Sequence, residues 1–156
     1  MWPFKKKQDD DDFPLLTMRD KFDIDMHTVL EIEKESFDYP WNKGEFVDVL
    51  RGGGCINIER QQGEVVGYLC FSPARYGAEL KSVAVRSSLR RRGIGTKLMT
   101  GMKNNVQLGD RIMACVSDRN TTAHVFLRSC GMKAISIREK HYDNGDDAYV
   151  FSWRSL

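Results

Sequence analysis

Six consecutive residues, Arg90-Arg91-Arg92-Gly93-Ile94-Gly95, stand between a short apolar run, Ser-Val-Ala-Val at 82–85, and a segment in which Ile94, Leu98, Met99, Met102 and Val106 recur at helical spacing. A helix that starts directly after a strand leaves its first backbone N–H groups without intrahelical partners and points the positive end of its dipole outward. Gly93 and Gly95 carry no side chain, so a phosphate can approach those amides closely, while the three arginines supply charge at the rim. The chemistry is anion binding by backbone. It is not that of a Walker loop, which needs Gly-x-x-x-x-Gly-Lys-Ser/Thr, nor of a dinucleotide loop, which needs a third glycine where this chain has Leu98.

The other reactive residues are dispersed. Cys55, Cys70, Cys115 and Cys130 lie far apart inside apolar segments, which argues for reduced, buried thiols and a cytoplasmic protein, and against a disulfide framework or a metal site. A net charge of +2 gives no reason to expect a nucleic-acid partner, although the clustering of Arg86, Arg90, Arg91, Arg92, Lys97 and Lys103 fits a compact anion. No apolar run approaches the ~18 residues of a membrane helix. Residues 1–14, with three lysines followed by Asp9, Asp10, Asp11 and Asp12, read as a flexible charged tail rather than a signal peptide.

The elements that must position the anion site follow from periodicity and turn signals. Residues 15–19 can form a first strand, and from Asp25 the residues Met26, Val29, Leu30 and Phe37 mark an amphipathic helix that Pro40 ends. A short helix over 43–50 precedes the Arg-Gly-Gly-Gly break at 51–54. Strands are expected over 55–60 and 64–72, joined by Gln-Gln-Gly, then over 79–85 and 111–117. Ala123, Phe126, Leu127 and Cys130 mark a further helix, with Gly131 placed for a left-handed C-cap. Two last strands, from 133 and from 147, flank a hairpin. At 156 residues, 41% hydrophobic and 29% charged, the chain is read as one α+β domain over 15–156. Its sheet should be mixed but mostly antiparallel, with about six to seven strands and about four helices.

The arginine–glycine run resembles the Arg/Gln-x-x-Gly-x-Gly/Ala signature of the GNAT (GCN5-related) N-acetyltransferases, preceded as in that family by an apolar strand. The resemblance covers most of 15–154. Ile-Glu-Lys-Glu-Ser-Phe-Asp-Tyr-Pro-Trp at 32–41 resembles the helix and turn of the branch that acetylates protein N-termini, particularly the bacterial ribosomal-protein alanine N-acetyltransferases. Residues 118–132 follow that branch's Asn-x-x-Ala pattern, and residues 140–154 resemble its last hairpin. The resemblance implies acetyl-CoA as donor, no metal, and cofactor contacts from Val83, Ala84, Val85, Arg90, Arg91, Arg92, Gly93, Ile94, Gly95, Thr96 and Asn120. It implies a protein or peptide N-terminus as acceptor, a ribosomal protein among the candidates, and no nucleic acid or membrane.

Acetyl transfer to an amine needs a proton acceptor, because an α-amino group has a pKa of ~8 and a lysine ~10.4. The glutamate and tyrosine that serve the alanine acetyltransferases fall, counting from Asn120, at Cys115 and Leu127 here. A substitute base is implied at Glu79, since Ala-Glu-Leu-Lys-Ser-Val-Ala-Val at 78–85 resembles the strand that carries the glutamate of the histone-acetyltransferase branch. Tyr142 matches a tyrosine of the hairpin that lines the peptide groove. Direct transfer in a ternary complex is expected, since a mid-strand Cys115 without a histidine nearby in sequence is a poor nucleophile. The alternatives are a small amine or internal lysine as acceptor, or a non-catalytic acyl-CoA-binding module.

Overall fold

Apolar periodicity at the start of the chain reaches further back than its strongest stretch. Met18, Phe22, Met26, Val29 and Glu33 recur at helical intervals. In the computed structural model, which describes residues 18–156, they lie on one continuous helix, α1 (Met18–Ser36). The first strand expected over 15–19 is therefore corrected at Met18 and Arg19, which are helical; its residues 15–17, and the expected charged tail over 1–14, lie outside the described residues. Met18 is in phase with Phe22 and Met26, which a strand reading of so short a run overlooks.

The second helix, α2 (Lys43–Arg51), starts at a capping box: Asn42 Oδ1 accepts from the Glu45 N–H at 3.1 Å, and Glu45 Oε2 accepts from the Asn42 N–H at 2.8 Å. β1 (Cys55–Gln61) and β2 (Glu64–Ala74) then form a hairpin whose two-residue turn, Gln62 at φ 51° and Gly63 at φ 81°, has the twist that antiparallel strands require. After β3 (Gly77–Val85) and a 3-10 turn (Ser87–Leu89) come α3 (Ile94–Lys103) and β4 (Arg111–Ser117). The helix α4 (Thr121–Ser129) closes with Gly131 at φ 82°; the Gly131 N–H donates to the Arg128 carbonyl and the Met132 N–H to the Leu127 carbonyl, which satisfies carbonyls that the helix end would leave bare. β5 (Lys133–Arg138) and β6 (Ala148–Arg154) end the chain.

The six strands of the described residues form one sheet in the order β1-β2-β3-β4-β6-β5, antiparallel except at β3–β4. This is the mixed α+β architecture with four α-helices that the pattern predicts. One face buries Met26, Val29 and Ile32 of α1 and Phe46 of α2 against Val65, Tyr68 and Cys70; the other buries Leu98, Met99 and Met102 of α3 and Leu127 of α4 against Leu69, Ile112 and Phe151. β2 is covered on both sides, which is why residues 65–70 are all buried. Each fully buried Val, Leu, Ile or Met contributes about 1.5–3 kcal/mol.

Candidate active site

β3 and β4 run parallel for only four residue pairs, from Gly77–Arg111 to Leu80–Ala114. Beyond them the strands part: β3 stays with β2 as far as Val85, and β4 stays with β6 as far as Ser117. The parting begins at an irregularity in β3, where Leu80 pairs with Phe71 and Ser82 with Cys70, leaving Lys81 extra. A cleft opens there, and two cavities of about 810 and 880 Å³ adjoin it. Ser36, Phe37, Val83, Asn120, Ala123 and Phe126 line both, so the two are continuous past Val83.

The larger cavity lies over the start of α3. Gly93, at φ 82°, is the N-cap and has no side chain to offer; its carbonyl accepts from Lys97 at 3.0 Å, which leaves the amides of Ile94, Gly95 and Thr96 without intrahelical partners. Val83, Ala84, Val85, Arg90, Arg91, Gly93, Ile94, Gly95, Thr96 and Asn120 line this cavity; Arg92 does not. Among the described residues its only charged lining groups are two arginines, and they differ. Arg90 donates from Nε to the Val85 carbonyl at 3.0 Å and from Nη2 to Ser36 Oγ at 2.9 Å, tying β3 to the end of α1, while Arg91 is exposed at φ 66°. Asn120 caps α4, its Oδ1 accepting from the Ala123 N–H at 3.0 Å. Open amides, a glycine cap and surplus positive charge suit this cavity to an anion such as a phosphate.

The second cavity has the opposite sign. It is lined by Glu33, Asp38, Glu45, Asp143 and Asp146 against Lys81 and Arg119. Asp146 is buried and accepts from Ser117 Oγ at 3.1 Å and Asn144 Nδ2 at 3.0 Å, with Arg119 Nε at 3.0 Å, so it fixes the loop between β5 and β6. Tyr142, on that loop, is half-buried and donates from its hydroxyl to the Cys115 carbonyl at 3.3 Å. Burial, and secondarily the nearby Cys115 and Asp146, push its phenol pKa up, which keeps it protonated.

Cys115 and Leu127, at the positions where catalytic side chains were expected, both line this acidic cavity. Glu79 lines neither cavity; its carboxylate pairs with Lys81 Nζ at 3.0 Å. Besides Asp146, which Arg119 already pairs, the carboxylate that reaches the cleft from a buried position is Glu33 of α1, which the sequence reading passed over as one of several charges on the helix. The signal was there: Glu33 continues the apolar stripe of Met26, Val29 and Phe37, where a glutamate is out of place. Burial raises its pKa above the ordinary carboxylate value, against hydrogen bonds from the Trp41 backbone and Ser82 that lower it.

The model of the acetyltransferase (GNAT) family matches residues 26–132. An uncharacterized N-acetyltransferase of Methanocaldococcus jannaschii is 29% identical over 130 residues, covering 81% of this chain and 83% of the relative. A Bacillus subtilis protein provisionally named a ribosomal protein bS18-alanine N-acetyltransferase is 27% identical over 131 residues, covering 81% and 87%. Among solved structures, Ard1 from Thermoplasma volcanium shares the fold with a TM-score of 0.75 at 22% identity, covering 85% of this chain and 93% of that one. Solved chains of the same fold include complexes with acetyl-CoA.

Proposed function

Because the chain belongs to the GNAT family of acetyltransferases, and so moves an acetyl group from acetyl-CoA to an amine, we propose that its acceptor is the α-amino group at the start of a protein or peptide, acetylated directly in a ternary complex. The observation that carries this reading is the acidic cavity. Its charged lining is five carboxylates against two cations, and it is bounded by the residues 37–41 turn and the β5–β6 loop. A cavity of about 810 Å³ is in the range that encloses a drug-sized ligand, which leaves room for the first residues of a chain. The acceptor named for the Bacillus subtilis relative supports a ribosomal protein as the first class to try.

On this reading the amides of Ile94, Gly95 and Thr96, with Arg91 at the rim, hold the diphosphate of the cosubstrate. Val83, Ala84 and Val85, on the stretch of β3 that has left β4, receive its pantetheine arm. The acidic cavity draws in the cationic chain start and delivers its amine to Val83, where the cavities meet. An α-amine, with a pKa of ~8, is partly neutral at physiological pH, so a modest proton acceptor suffices; a lysine at ~10.4 demands more. The Tyr142 hydroxyl, protonated and held at the Cys115 carbonyl, is placed to hydrogen-bond the incoming chain.

A peptide-array screen with acetyl-CoA, scored by acetyl incorporation and CoA release, tests the reading. Free N-terminal amines should be acetylated, and matched peptides with blocked N-termini should not, even when they contain lysine. Acetylation confined to blocked, lysine-containing peptides would overturn it.

A further inference from the structure

Glu33 is only 2% exposed, yet its three partners are a backbone N–H and two hydroxyls, none of them a cation. Oε1 accepts from the Trp41 N–H at 3.0 Å; Oε2 accepts from Ser82 Oγ at 3.1 Å and from the Tyr68 hydroxyl, and those two oxygens are 3.0 Å apart. Burying a carboxylate without a cation costs several kcal/mol if it is ionised, and a leucine at this point of the stripe would pack at no such cost. Anchoring the Trp41 turn accounts for one oxygen only. The other faces Ser82, the residue that follows the extra Lys81 in β3 and precedes Val83, where the two cavities join. Ser82 lines the acidic cavity and is half-buried.

We propose that Ser82 and Glu33 form the proton exit of acetyl transfer: Ser82 Oγ accepts the proton of the attacking amine while its own hydroxyl proton passes to Glu33 Oε2, and Tyr68 holds the pair in line. This rests on the cleft being the place where acetyl-CoA meets an amine. In the step, the C–N bond forms and the C–S bond breaks. Ser82 keeps the amine's proton, Glu33 gains the one that Ser82 gives up, and the CoA thiolate takes one proton from water. Glu33 then releases its proton to solvent, so the net products are the amide and free CoA thiol. Ser82 is the group that touches the reacting nitrogen, and Glu33 acts behind it.

The surroundings suit a carboxylate that must both take and release a proton. Burial raises its pKa toward neutrality, and Glu45 of α2 pushes in the same direction. The other titratable groups around it are Tyr68 and Cys70 of β2 and Lys81 of β3, with Asp38 of the following turn in the same cavity. Cys70 is itself pushed up to about 12, by burial first and by Glu33 second, so it stays a neutral thiol and does not compete for the proton.

The test is the pH profile of kcat in Glu33→Gln and Ser82→Ala, with acetyl-CoA affinity measured alongside. The wild type should show two ionisations on the acid limb, that of the bound amine and that of Glu33. Glu33→Gln should keep only the amine's and lose about 100-fold in kcat; Ser82→Ala should lose about 10-fold or more; acetyl-CoA affinity should change by less than about threefold in both. A loss confined to KM or thermal stability, with a wild-type acid limb, would make Glu33 a loop anchor and overturn the relay. If Glu33→Gln does not fold, Ser82→Ala decides alone, and a kcat within about threefold of wild type overturns it. The profiles are taken with whichever amine the array identifies, so a lysine or small-amine acceptor would defeat the α-amine reading and leave the relay under test.

Discussion

The two cavities meet at Val83 but are made from different material. The basic one takes its anion-binding groups from backbone, three amides of α3 behind a glycine at φ 82° and the open edge of β3 within residues 83–96, and the end of α1 and α4 wall it. The acidic one is built from side chains on α1, β3, β4 and the β5–β6 loop, brought together from Glu33 to Asp146. A backbone site needs only the right turn and small residues, so a relative can keep it while nearly every other side chain changes. A side-chain site has no such protection, which is why the resemblance that carries the cofactor segment stops at Cys115 and Leu127 on the acceptor side.

Both cavities depend on the four-pair contact between β3 and β4, and breaking it should have the largest effect. Gly77 opens that contact at φ 132°, and a Cβ there would lie 2.4 Å from the Arg111 carbonyl oxygen. Gly77→Ala should therefore cost ~3 kcal/mol or more and abolish acetyl-CoA and acceptor binding together. Thermal unfolding would measure it, and a variant as stable as wild type would mean that this contact does not hold the cleft. A smaller, one-sided effect is expected at Gly93. Nothing lies within 4 Å of its added Cβ, but φ 82° is strained for a branched residue. Gly93→Val should turn the α3 amides away and raise the acetyl-CoA Kd about tenfold, while Arg91→Ala, which removes one exposed charge, should raise it only two- to threefold. Calorimetric titration of both variants checks the order; an arginine effect larger than the glycine effect would make the site electrostatic rather than backbone-built.

The same contrast explains what the sequence disclosed. The strand over 111–117 and the short helix from Lys43 were legible because their apolar patterns are local and end in clear breakers. The anion site was legible for the same reason, being one unbroken string. The parting of β3 from β4 is not written locally, since it follows from where a parallel pairing stops. Glu33 was hidden by a neighbourhood effect: Glu31 and Glu35 flank it and are exposed, and only helical phase separates the buried carboxylate from the solvated ones. Glu79 failed to reach the cleft for a related reason, because the side chain at 79 falls outside both cavities and meets Lys81 instead.

The opposed charges of the two cavities can be separated experimentally without touching either floor. Asp38 and Asp143 are exposed, lie at the acidic cavity on different loops, and form no ion pair among the described residues. Asp38→Lys with Asp143→Lys changes the local charge by about four units, which should slow capture of a cationic chain start and raise its KM about tenfold at low salt. The effect should fade as ionic strength rises from about 10 mM to 0.5 M, because the Debye length falls from about 30 Å to a few ångströms. Acetyl-CoA should bind the double variant as well as wild type or slightly better, since the nearest change is a gain of positive charge. An acceptor KM that ignores both the reversal and the salt would mean that the acidic lining shapes the loops and does not select the substrate.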